Sequence, residues 1–71
     1  MTHSVTKANN AVDFQTLSDS EVLSYGGHNM RVTHYRLLAN GQRCQMTTDI
    51  KNKNMARGYW SALLADGYKA S

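Results

Sequence analysis

The chain has 71 residues, with eight Lys or Arg against five Asp or Glu, a single cysteine and no proline. That length admits one domain with a small core, in a size range, below about 70 to 80 residues, where one core seldom yields more than a few kcal/mol. One cysteine excludes an internal disulfide framework. A formal charge of +3 and a pI near 9.3 are too slight an excess to establish a polyanion partner by themselves. With mean hydropathy −0.56, no long apolar run and no secretion or lipidation motif, the composition predicts a cytoplasmic, reduced setting and no membrane partner.

Residues 1–11, polar and without period, read as a flexible tail, and 12–71 as a single small α+β domain. Val12 and Phe14 alternate and suit a short edge strand. From Ser18 the signals become denser. Ser18 and Glu21 fit a capping box, Leu17 and Val22 a hydrophobic staple, and Gly26 a helix stop. The competing reading makes 22–25 a strand joined to Met30 through 26–29. The segment 18–25 is therefore a short helix or a third strand, and the helix is preferred because three independent signals coincide.

Phe14, Leu17-Ser18, Glu21-Val22 and Gly26-Gly27 resemble the double-glycine leader of exported bacteriocin precursors, which would imply cleavage after Gly27. The spacing between acid and glycine pair is one residue short, and the chain from His28 onward reads as a foldable hairpin and helix. Membership is therefore not assigned.

The next stretch sets the architecture. Two β-prone runs, about 30–39 and 42–50, flank Asn40-Gly41, a dipeptide suited to a two-residue hairpin turn. Such a turn pairs Ala39 with Gln42 and hence Leu37 with Cys44, Tyr35 with Met46, Thr33 with Thr48, and Arg31 with Ile50. Alternation then puts Thr33, Tyr35, Leu37, Cys44, Met46, Thr48 and Ile50 on a predicted core face. The other face carries His34, Arg36, Arg43, Gln45, Thr47 and Asp49, with Val32 and Leu38, and is predicted to be mostly wet.

A helix over about 53–66 follows, capped by Asn52 or Asn54 and ended by Gly67. Met55, Ala56, Tyr59, Trp60 and Leu63 form its apolar stripe, with Leu64 beside it, so the aromatics read as core. Gly58, Ser61 and Ala65 lie opposite, a contact face or a tolerated one. Lys51, Lys53, Ala56, Ala62 and Leu63 are similar to the strand-then-helix ending of double-stranded-RNA-binding domains. The expected sheet is one strand short of theirs, and the pattern suits any amphipathic helix.

Chemistry finds little support. His3, His28, His34 and Cys44 do not converge, so no metal or cofactor is expected. His34 beside Arg36, with Arg43 and Gln45 on the adjacent strand, is the one set that suits proton transfer at a phosphate, as in small basic ribonucleases. Without a cleft it reads as a solvated face, and the expectation is no enzyme.

Binding is better supported. Arg36 and Arg43 on a twisted ribbon suit guanine, and Gln45 adenine, in a major groove, with His34 on the same face as a further contact. Arg31, Lys51, Lys53 and Arg57 would contact phosphates. The bland alternative is that all are solubilising charges. A different class is a protein-docking module using Leu23, Tyr25, Met30, Val32 and Leu38, with homodimerisation through a sheet edge. The sequence thus predicts a phage- or plasmid-type accessory regulator acting on nucleic acid or a complex that handles it. The alternative is a stoichiometric inhibitor of a host enzyme or defence complex.

Overall fold

The structure, a computed structural model, describes residues 2–70. Strands β1 (Thr2–Lys7) and β2 (Asn10–Thr16) lead through helix α1 (Asp19–Ser24) to β3 (Met30–Leu37) and β4 (Arg43–Lys51). Helix α2 (Lys53–Ala65) and the short β5 (Lys69–Ala70) complete the chain. The strands form one antiparallel sheet in the order β4-β3-β2-β1-β5, an α+β domain built on the expected hairpin and C-terminal helix.

The expected N-terminal tail is a strand. Lys7 pairs with Asn10 across a two-residue turn, Ala8-Asn9, in which Ala8 takes φ +51°. That conformation normally selects Gly or Asn, so the turn carries no recognisable sequence signal. Once β1 is in place, β2 lies between β1 and β3 and is central, not an edge.

β1 and β2 also decide which face is buried. Val5 is opposite Val12, and Phe14 opposite Val32, so these four apolar side chains share one face. All are at most 3 % exposed, and Ala56 and Leu63 of α2 close over them. Met30, Tyr59, Trp60 and Tyr68 pack around that cluster.

The core face is thus the one expected to be wet. Val32 is core and His34 lies on its side of β3, whereas Tyr35 and Leu37 point to the open side. The predicted pairs Thr33 with Thr48 and Arg31 with Ile50 form, but beyond a bulge between His34 and Tyr35 the register moves by one, giving Tyr35 with Gln45, Arg36 with Cys44 and Leu37 with Arg43. The turn explains the offset. Leu38 N–H donates to the Gln42 carbonyl and Gly41 N–H to that of Leu38, so the loop has three residues, 39–41, with only Gly41 (φ +82°) left-handed. Met46 is the extra residue of the bulge. Because β4 is an edge with no helix above its outer half, Cys44 and Met46 are exposed, not buried as expected.

Both helices start as predicted. The Ser18 and Glu21 capping box forms, which settles 18–25 as helix rather than strand, and Asn52 Oδ1 accepts from Met55 N–H at 2.9 Å. Met55, expected on the buried stripe, is 55 % exposed. Gly67, at φ +101°, ends α2.

Candidate functional site

The junction of β4 and α2 concentrates charge beside aromatic surface. Lys51 ends β4, Asn52 caps the helix, and Lys53 and Arg57 follow on successive turns. Ala56, 3 % exposed, pins this first turn to the sheet. Lys53, Arg57 and Trp60 are spaced i, i+4, i+7 and therefore occupy one side of α2.

That side overhangs a groove of about 440 Å³. Its sheet wall is His3, Phe14, Thr16 and Met30, and its helix wall is Lys53, Ala56, Arg57 and Trp60. The Trp60 ring stands edge-on to Phe14 with centroids 5.1 Å apart, and to His3 at 6.4 Å. Among the described residues no carboxylate lines the groove. Behind it, Tyr59 hydrogen-bonds His34 at 2.8 Å and carries the Lys51 ammonium 5.6 Å from its ring centroid. Burial, with lesser contributions from Tyr68 and Asp49, raises the pKa of the Tyr59 hydroxyl above its ordinary value.

The open side of the sheet is different in kind. Asp13 accepts from Ser4 at 2.6 Å and from Arg43 at 2.8 Å, and Arg43 lies 5.4 Å from the Tyr35 ring centroid. Gln45 donates to Thr48, which donates to the buried Thr33. Arg31 is held by Glu21 at 2.8 Å. This face is a network of satisfied polar groups.

The residues expected to bind together are therefore divided. His34, Arg36, Lys51, Lys53 and Arg57 belong to the helix side, and Arg31, Arg43 and Gln45 to the open side or its rim. No free two-stranded ribbon presents Arg36 and Arg43 to one groove, because β3 is paired on both flanks and the two arginines lie on opposite faces. His34 is engaged by Tyr59, so the proton-transfer set does not assemble. Nor do the apolar candidates form one patch. Val32 is fully buried and Met30 packs on the core, while the exposed Leu23, Tyr25 and Leu38 sit on α1, its C-cap and the hairpin loop.

Ion pairing separates the cations further. Lys7, Arg31 and Arg43 each pair with a carboxylate. Arg36, Lys51, Lys53, Arg57 and Lys69 are in no ion pair among the described residues. No family model matches this chain, and neither does any curated protein or solved structure. Among the described residues no group of His, Cys, Asp or Glu is arranged to hold a metal ion, and no helix is long and apolar enough to cross a membrane.

Sequence reasoning missed the groove. On sequence alone His3 lies in a tail and Phe14 on an edge strand, and the hairpin's core face is set opposite Trp60 where the structure has β1 and β2. The spacing of Lys53, Arg57 and Trp60 was the available signal.

Proposed function

We propose that this chain is a non-enzymatic binding protein that engages nucleic acid, or a complex that handles it, through the helix side of its sheet. The observation that carries the reading is the contrast in ion pairing. Lys51, Lys53 and Arg57 cluster at the β4–α2 junction and form no ion pair among the described residues, whereas Arg31 and Arg43 on the other side are paired with Glu21 and Asp13. Cations outside ion pairs at a helix start attract phosphate and release its counterions on binding. Arg36, exposed on the same side of β3, extends the track towards the hairpin. The reading implies a cytoplasmic accessory regulator of the kind phages and plasmids carry.

The test is binding of the purified protein to duplex DNA, single-stranded DNA and structured RNA at two salt concentrations. Salt-sensitive binding, lost in Lys53→Glu with Arg57→Glu and kept in Arg43→Ala, supports the reading. Absence of binding at low salt overturns it.

One observation favours a second reading, an inhibitor that docks on a host enzyme or defence complex. β4 is a nine-residue edge strand with Met46 59 % exposed, open to an added strand from a partner or a second copy. The bulge at Met46 and the charges of Arg43, Asp49 and Lys51 blunt that edge. Met46→Pro would abolish edge docking and leave nucleic-acid binding intact.

A further inference from the structure

We infer that the groove between Trp60 and the sheet holds one unpaired base of a single-stranded nucleic acid, whose flanking phosphates lie on Lys53 and Arg57. The inference rests on the nucleic-acid reading above and narrows it from polyanion to single strand.

Three features of the groove select this occupant. Its volume, about 440 Å³, lies within the about 300 to 1,000 Å³ typical of small-ligand clefts, and its walls combine Trp60 and Phe14 with the apolar Met30 and Ala56. A base brings a flat π-face to such walls whatever its identity, which is how single strands are held without sequence preference. Charge supplies the second. Lys53 and Arg57 line the groove, no carboxylate does among the described residues, and Lys51 stands at the end of the adjoining strand. Phe14, 3 % exposed and 5.1 Å from Trp60, backs that ring from beneath, so a base laid on Trp60 with cations beside it matches a nucleotide, apolar in the middle and anionic at both ends. Geometry supplies the third. The groove runs between a helix and a sheet instead of crossing a convex ridge, so a paired base inside a duplex cannot enter it without leaving its stack.

An acidic peptide would also meet two cations, but its carboxylates bring no aromatic face to Trp60.

Trp60 is the only tryptophan, so its fluorescence reports the groove directly. Unaltered protein is titrated at low salt with dT12, with a 12-mer of abasic deoxyribose phosphates, with a 12-bp duplex and with a 12-residue poly-glutamate. Affinity is read from the labelled ligand and stacking from Trp60. The expected result is quenching by dT12 alone, with affinity at least about fivefold above the abasic strand, the lower end of what one base–aromatic stack contributes. Equal affinity for all three nucleic acids with Trp60 unchanged would overturn the base site and leave phosphate binding standing. Poly-glutamate quenching Trp60 where dT12 does not would assign the groove to a protein. No binding of any nucleic acid would overturn both readings. Arg57→Ala, at an exposed position outside the core, is expected to weaken dT12 binding several-fold without altering the far-ultraviolet spectrum.

Discussion

Tyr59 Oη and His34 Nε2 share a hydrogen bond of 2.8 Å that ties α2 to β3. It places His34 beneath the helix, on the side of the sheet that Val5, Val12, Phe14 and Val32 make apolar. Tyr59→Phe keeps the ring against Phe14 and deletes only this bond. The expected cost is about 1 kcal/mol, read by urea unfolding. The pH dependence is a second signature. A hydroxyl whose pKa is raised by folding contributes stability that is complete below its ordinary value of 10.0 and lost as pH rises through the folded value. The difference between wild type and Tyr59→Phe should shrink at alkaline pH, and a constant difference would contradict the assignment.

Val32 distinguishes the two faces. It is fully buried between Phe14 and the helix, so Val32→Ala should cost about 2 kcal/mol or more, and Val32→Asp should unfold the protein. Leu38→Asp, in the exposed hairpin loop, should leave the fold intact. Far-ultraviolet circular dichroism separates these outcomes, and equal tolerance of both aspartates would mean that Val32 is not in the core.

The start of α1 responds to acid. Hydrogen bonds from Ser18, then the nearby Arg31, hold the Glu21 carboxyl below its ordinary value of 4.5. A lowered pKa contributes stability that is present above the ordinary value and lost as pH falls through the folded one. Amide exchange in 19–24 should therefore quicken as pH is lowered beyond that point, after correction for intrinsic rates, sooner than exchange in β2. Ser18→Ala, which removes the cap, should loosen the same amides by about 1 kcal/mol at neutral pH.

Gly58 sits in the middle of α2, and a Cβ there would meet nothing within 4 Å. Gly58→Ala should accordingly stabilise the protein by about 0.5 to 1 kcal/mol, measured by thermal unfolding, with binding unchanged. Stabilisation accompanied by lost binding would show that a partner packs against that face.

The features legible in the sequence are those set by local chemistry. Ser18 and Glu21, Asn52 and Gly67 bound their helices through their own side chains or backbone, and all were readable. The hairpin was readable as far as its strands, but not its faces. Asn40-Gly41 also suits a three-residue loop with Gly41 left-handed, and a single inserted residue at Met46 hides the resulting shift. Tyr35, Leu37, Cys44, Met46 and Ile50 look like a core row only if the hairpin is alone under the helix. The burial of Val32 comes from Phe14 and Val5, distant in sequence, and Val5 joins the sheet through an Ala8-Asn9 turn that carries no signal. The groove was invisible for the same reason, since one wall is β1 and β2.

The most direct test of the proposed interface is the salt dependence of single-strand affinity in wild type and in Lys53→Ala with Arg57→Ala. Each phosphate contact on a single strand contributes a slope of about −0.7 in log affinity against log salt. The double variant should bind more weakly, with a slope shallower by about 1.4. An unchanged slope would mean that these two cations touch no phosphate, and the helix side of the sheet would not be the binding face.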